Sequence, residues 1–387
     1  MAVTPITDGA DLERLRSLTG IKWSRDKGDI LAAWVADMDL APAPVAVEAV
    51  QALIDRRDFG YNRHAAAQIP EAFSAWQDRQ HGWAPNVEEL LPFSDVLHAI
   101  DMALWLHTKP GDGIVLLTPI YPPFIRAVEH GDRRLIDCPL NPDGWRVERE
   151  ALEACIDDRT SAILMCNPHN PTGRVFSLEE LTTVAEVAEA NDLLILSDEI
   201  WGDVVHPGAT HIPMPMVSQA AAARTITISA ASKSFNLAGL RTAVAHIGHA
   251  ELAEKFAALP AHARGGLSTP GAEATLASWT KGGPWLAEVL AHLTAQRDHL
   301  ASRLASELPQ VGFQLPEATY LNWLDFSCCN LGPEPATTLM AEVGVSLSPG
   351  SDFGHGGDGW VRLNVATSQE ILDLMLDRIV GAVSAVT

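Results

Sequence analysis

Ile228-Ser229-Ala230-Ala231-Ser232-Lys233-Ser234-Phe235-Asn236-Leu237-Ala238-Gly239-Leu240-Arg241 is the stretch on which the reading of this chain turns. A β-branched run at 225–228 leads into it, so Lys233 falls just past a buried strand. A lysine in such surroundings loses solvation, which lowers its pKa and frees a neutral amine to act as nucleophile or base. A surface lysine after a strand is the ordinary alternative, and the neighbours argue against it. His169-Asn170-Pro171-Thr172-Gly173 follows one apolar run, Ser197-Asp198-Glu199 ends another, and Arg241 stands eight residues after Lys233. An amide, an acid, an amine and a cation thus recur in order at the ends of successive strands.

Those strands alternate with amphipathic helices from about residue 110 onward, the pattern of a wound α/β sheet. Residues 114–118, 161–166, 193–197 and 225–228 read as buried strands. Ser177-Leu178-Glu179-Glu180 is a capping box that opens a helix to about Ala190. Residues 284–308 are helical in period and long enough to bridge two lobes. Later, 320–326 and 361–366 read as strands, and Thr367-Ser368-Gln369-Glu370 caps a closing helix. No Gly/Ser linker or repeat divides the chain. The expected division is a large domain over 45–285 and a small α+β domain built from both termini, 1–44 and 286–387. Open α/β sheets place their sites in the crevice outside the carboxyl ends of the strands.

Composition narrows the classes. The chain has 387 residues, enough for a large core, with 47% hydrophobic and 20% charged residues. A formal charge of −22 argues against nucleic acid and anionic membranes as partners. No uncharged apolar run reaches membrane-spanning length, and Asp8, Asp11 and Glu13 interrupt any leader-like start, so a cytoplasmic protein is expected. Cys138, Cys155, Cys166, Cys328 and Cys329 are odd in number and lack paired CxxC spacing, which points to neither a disulfide framework nor zinc. The histidines are scattered, and His206 with His211 lacks convincing ligand spacing.

The chain resembles a fold-type I pyridoxal phosphate enzyme of the class I/II aminotransferase superfamily over essentially its whole length. Within it, the similarity is strongest to the MalY/PatB group of cystathionine β-lyase-like C–S lyases. Trp34-Val35-Ala36-Asp37-Met38-Asp39, Phe59-Gly60-Tyr61, Tyr121-Pro122-Pro123-Phe124, Asn167 to Gly173, Ser232 to Asn236 and Val361-Arg362-Leu363-Asn364 carry it. The resemblance implies an aspartate aminotransferase fold of three layers, with a large, mostly parallel sheet domain.

It also implies a role for each candidate residue. Lys233 would form the Schiff base, Asp198 would pair with the pyridine nitrogen, and Asn170 would donate to the ring oxygen. A cap on the next turn is the alternative role for Asp198, and its spacing to Lys233 and Asn170 favours the cofactor role. Arg241 would fork on the phosphate, beside Ser232 and the backbone N–H groups of Asp95, Val96 and Leu97. Asp95 stands where relatives often carry glycine. It reads as a helix N-cap, with its side chain expected to point away from the phosphate. Tyr121 would stack on the ring, and Tyr61 would reach across a homodimer interface to the partner's phosphate. Arg362 would take the substrate carboxylate as a bidentate pair, helped by the backbone of Ala36. Trp201 is a departure: superfamily members often carry tyrosine there, and MalY/PatB relatives usually histidine. An indole donates one hydrogen bond but neither accepts nor titrates.

These residues can generate a substrate carbanion, whose fate then separates two enzymes. Expulsion of a β-thiolate gives thiol, pyruvate and ammonia; reprotonation at the cofactor gives amino transfer. The motif likeness favours β-elimination on cystathionine or a related cysteine S-conjugate, with an aminotransferase as the alternative. A regulator that uses the fold to bind another protein is a further reading, disfavoured by the complete Asn170, Asp198, Lys233 and Arg241 set.

Overall fold

The computed structural model describes residues 6–7 and 10–386; residues 1–5, 8, 9 and 387, Asp8 among them, lie outside the described residues. After a two-residue strand, β1 (Leu31–Ala32), the chain lays down seven strands of one sheet. They are β2 (Leu90–Phe93), β3 (Gly113–Thr118), β4 (Arg134–Pro139), β5 (Thr160–Cys166), β6 (Leu194–Asp198), β7 (Thr225–Ser229) and β8 (Ala243–Ile247). Their order in space is β2-β8-β7-β6-β5-β3-β4. Pairing is parallel from β4 through β7, while β8 runs antiparallel to both of its neighbours. Of the strands expected from sequence, the four in this sheet are β3, β5, β6 and β7.

Helices cover both faces of this sheet, so its strands are apolar on both sides. Ile114 and Leu116 of β3 join Leu164 and Leu196 in one core cluster, while Val115, Leu117, Ile163 and Ile195 join the opposite one. Each fully buried side chain of this size contributes about 1.5–3 kcal/mol relative to exposure. A continuous β-branched and leucine run is therefore what such a strand requires.

The capping box forms as expected. Ser177 Oγ accepts from the N–H of Glu180 at 3.2 Å, and Glu180 Oε2 accepts from the N–H of Ser177 at 2.8 Å, opening the helix Leu178–Ala190. The long helix runs Gly283–Glu307.

Beyond it lie β9 (Gly312–Phe313), β10 (Leu321–Asp325), β11 (Val345–Ser346), β12 (Ser348–Pro349) and β13 (Trp360–Asn364). Four of these form an antiparallel sheet in the order β12-β13-β10-β9. β11 instead pairs in parallel with β1, Leu31 against Val345, so the N-terminal stretch joins the C-terminal quarter.

The closing helix, Gln369–Val386, corrects one expectation. The capping hydroxyl is that of Ser368, which accepts from the N–H of Ile371 at 3.4 Å, and not that of Thr367. The Thr367 side-chain oxygen is buried without a hydrogen-bond partner, while its N–H donates to Val365 O and its carbonyl accepts from Gln296 Nε2 at 3.2 Å. That residue ties the long helix to β13 and leaves the next one to start the new helix.

Candidate active site

The parallel strands end on one rim, and chemistry-bearing residues stand at those ends. Asp198 is the last residue of β6, while Tyr121, Asn170 and Lys233 follow β3, β5 and β7 by a few residues. Gly173 makes the Asn170 turn possible: its φ is +71°, and a Cβ there would lie 2.3 Å from Pro316 Cβ. A cavity of about 140 Å³ opens at this rim. Ala36, Asp95, Val96, Leu97, Tyr121, Asn170, Asp198, Trp201, Ser232, Lys233 and Arg241 all line it. Tyr61 and Arg362 are the two expected residues that do not.

Lys233 lies in a short helix, Ala231–Ser234, that closely follows β7. Its Nζ donates to Ala36 O at 2.7 Å, and Tyr320 Oη donates to the same carbonyl at 2.9 Å. Burial holds the Lys233 amine below its ordinary pKa; Asp37 and Asp198 oppose this shift and Arg362 adds to it. The Ala36 loop is itself pinned from several sides. Asn236 Nδ2 donates to Met38 O and Leu40 O, and Asn364 Nδ2 donates to Val35 O and Asp37 O. Lys22 Nζ adds a bond to Asp37 O at 3.0 Å.

Asp198 is buried, and burial raises its carboxyl to about 7, with neighbouring Glu199 pushing the same way. The N–H of Ile200, donating to Oδ1 at 3.0 Å, and the charge of Lys233 act against that rise. Cys166 Sγ, 3.8 Å from Oδ2, is a weak neutral donor, and among the described residues no cation lies at ion-pair distance. A buried carboxylate in this position lacks a positively charged partner.

Arg362 lies on β13, apart from the sheet ends, yet its Nη1 donates to Asn170 Oδ1 at 3.0 Å. Its Nη2 donates to Trp34 O at 2.8 Å and to Ser348 Oγ at 3.1 Å, and its Nε has no hydrogen-bond partner. Burial lowers the guanidinium to about 10, with the neighbouring tyrosines Tyr121 and Tyr320 acting in the opposite direction.

Asp95 differs from its expected orientation. It does cap the helix Val96–His107, with Oδ1 accepting from the N–H of His98 at 2.9 Å. Its Oδ2, however, turns into the cavity and pairs with Arg241 Nη2 at 2.5 Å. The attraction between a fixed carboxylate and a mobile guanidinium close by accounts for this orientation.

Trp201 is buried at the back of the cavity, edge-on to Tyr320 with ring centroids 4.8 Å apart and 5.9 Å from Lys233 Nζ. Tyr121 is held edge-to-face against Phe124. Tyr61, in contrast, is wholly exposed.

This donor set fits pyridoxal phosphate. The buried Asp198 lacks a cationic partner that a protonated pyridine nitrogen would supply. Lys233 offers an amine of lowered basicity, and Arg241 stands with the first N–H groups of a helix where an anion belongs. A model of the family described as aminotransferase class I and II matches residues 35–379.

The chain belongs to that family.

This aminotransferase class I and II chain is 36% identical to cystathionine beta-lyase PatB of Bacillus subtilis over 361 residues, covering 92% of this chain and 93% of the relative. It is 34% identical to a cystathionine beta-lyase of Corynebacterium glutamicum, over 95% of this chain and 98% of that one. Among solved structures, the pyridoxal phosphate-bound C–S lyase of Staphylococcus hominis superposes with a TM-score of 0.92 at 27% identity, covering 98% and 99% of the two chains.

Sequence reasoning missed several groups that shape this family site. Tyr320 and Ser348 reach Ala36 and Arg362 from the small sheet, and Lys22 reaches the Ala36 loop from the N-terminal stretch. Phe124 and Thr242 also line the cavity. Tyr320 had a usable signal, as one of only three tyrosines. Lys22 and Ser348 had none.

Proposed function

We propose that this chain is a pyridoxal phosphate-dependent carbon–sulfur β-lyase, cleaving cystathionine or a related cysteine S-conjugate to a thiol, pyruvate and ammonia. The observation that carries the reading is the meeting of Lys233, Asp198, Asn170 and Arg241 around one cavity. Elimination is preferred to amino transfer because relatives matched over nearly the full chain bear the name cystathionine beta-lyase.

Lys233 would hold the cofactor's aldehyde, Asp198 its pyridine nitrogen and Asn170 its ring oxygen. Tyr121 would cover one face of the ring, with Trp201 closing the cavity behind. Ser232, Arg241 and the N–H groups of Val96 and Leu97 would hold the phosphate. When bound, pyridoxal phosphate draws electrons from the substrate α-carbon and so eases removal of its proton. Burial lowers the pKa of the Lys233 amine, the direction that a base for that proton requires. Ala36 O keeps the amine oriented in one direction. Arg362, fixed by Trp34 O and Ser348, would take the substrate carboxylate together with the N–H of Ala36.

The same reading includes the division into a large domain over 45–285 and a small one over 1–44 and 286–387. The β1–β11 pairing supports it. A homodimer is part of the proposal, supported by the exposed rings of Phe59 and Tyr61, with Tyr61 reaching the partner's phosphate. A cytoplasmic location is also proposed; no helix among the described residues is long and apolar enough to cross a membrane.

The test is to incubate the cofactor-loaded protein with L-cystathionine, without any keto acid, and follow pyruvate and free thiol together. Equal release of both over many turnovers is expected. Conversion to a pyridoxamine form that a keto acid reverses, without pyruvate, would make it an aminotransferase instead.

A further inference from the structure

We propose that Asp95 is a built-in competitor for the anion at the phosphate cradle, so that this chain holds pyridoxal phosphate more loosely than the cradle otherwise would. The inference rests on the reading of the cavity as a pyridoxal phosphate site.

The cradle has two halves, and one carboxylate touches both. The first half is the N-terminus of the helix Val96–His107, 12 residues long, whose opening N–H groups lack intrahelical partners. Asp95 satisfies only one of these, at His98, leaving for an anion the N–H groups of Val96 and Leu97, two residues that line the cavity. The second half is Arg241, and Asp95 Oδ2 already sits 2.5 Å from its Nη2.

The two partners differ in freedom. The Arg241 side chain is 65% exposed and can swing, whereas that of Asp95 is 22% exposed and fixed by its cap. An arriving phosphate therefore draws away the arginine but not the carboxylate. Asp95 remains beside it as a like charge, unless the helix gives up its cap. Glycine at this position would leave both halves to the phosphate. Repulsion between like charges a few ångströms apart, partly screened by water, weakens phosphate binding about tenfold.

Asp95→Asn keeps a capping oxygen and removes the charge. Wild-type and D95N holoenzymes would be diluted into cofactor-free buffer, and retention read from the visible absorbance and from cofactor in the filtrate. The measurement would be repeated with pyridoxal, which lacks the phosphate.

The expected result is about tenfold tighter retention of pyridoxal phosphate by D95N, shrinking as salt is raised, with pyridoxal unaffected. Equal or looser retention of pyridoxal phosphate by D95N would overturn the proposal and make Asp95 a support for Arg241. An equal gain for pyridoxal would also overturn it, by removing the phosphate from the effect. If D95N does not fold, Asp95→Ser, which caps as well, gives the same reading. A wild-type protein that binds no pyridoxal phosphate would sink the reading of the cavity itself, an outcome distinct from the others.

Discussion

Arg362 Nη1 donates to Asn170 Oδ1 at 3.0 Å, so the guanidinium expected to bind substrate is tied to the amide expected to bind cofactor. The two lie 192 residues apart in sequence, one on the small sheet and one at the end of β5. Whatever takes Arg362 must therefore be felt at Asn170. Arg362→Lys keeps the charge but loses the fork, and should raise KM for the amino acid about 10- to 100-fold with a smaller change in kcat. It should also shift the cofactor absorbance, because Asn170 loses a donor. A double-mutant cycle with Asn170→Ala should show coupling of about 1–2 kcal/mol in kcat/KM. Strict additivity would mean that the bond transmits nothing.

Lys233→Ala should abolish the visible absorbance of bound pyridoxal phosphate and lower turnover by a factor of about 1,000 or more. The fold should survive, since the change removes a single side-chain hydrogen bond to Ala36 O that Tyr320 also serves. Circular dichroism and absorbance on the same sample would check both halves. A Lys233→Ala protein that kept the band would remove the central assignment.

Stability should depend on pH through Asp198. Burial raises its carboxyl from 3.8 to about 7 in the folded protein. Between those values the folded protein holds a proton that the unfolded chain has released. The contribution of Asp198 to stability is therefore present below about pH 4 and is lost as pH rises through 7. In cofactor-free protein, Asp198→Asn should raise Tm relative to wild type by a margin that grows from pH 4 to 7 and then levels. Pyridoxal phosphate should reverse the ranking by giving the carboxylate a cation. A margin flat across that range would show that Asp198 does not titrate in this way.

What the sequence disclosed, and what it withheld, follows from how local each cause is. β3, β5, β6 and β7 were legible because burial on both faces demands an unbroken apolar run, and the run is visible in one dimension. The placements of Asp198, Asn170 and Lys233 were legible for a similar reason: each is fixed by its distance from the end of its own strand. Arg362 and Tyr320 reach the site through the fold of the small sheet, and no spacing records that. The turn of Asp95 toward Arg241 depends on where a chain segment 146 residues away returns. The shift of the last helix cap from Thr367 to Ser368 goes with the burial of Thr367, whose carbonyl meets Gln296 on a helix that sequence periodicity could outline but not dock.

Lys22 and Asp39 form a buried pair that links the N-terminal stretch to the Ala36 loop, and it should matter to both stability and binding. Lys22 Nζ lies 2.9 Å from Asp39 Oδ2, with both side chains almost wholly buried, and Trp23 Nε1 donates to the other oxygen at 2.6 Å. The same ammonium donates to Asp37 O, next in the chain to the carbonyl that orients Lys233. Lys22→Met leaves Asp39 charged and short of a cation, which should cost about 3–5 kcal/mol in denaturant unfolding. It should also raise KM, because the loop that carries Ala36 loses an anchor. Pairing it with Asp39→Asn removes the stranded charge, so the double variant should be more stable than Lys22→Met alone. Its KM should stay high, since the bond to Asp37 O is still missing. If the double variant were instead less stable than either single change, the ion pair would not be the source of the loss, and packing of the lysine stem against the Ala36 loop would have to be.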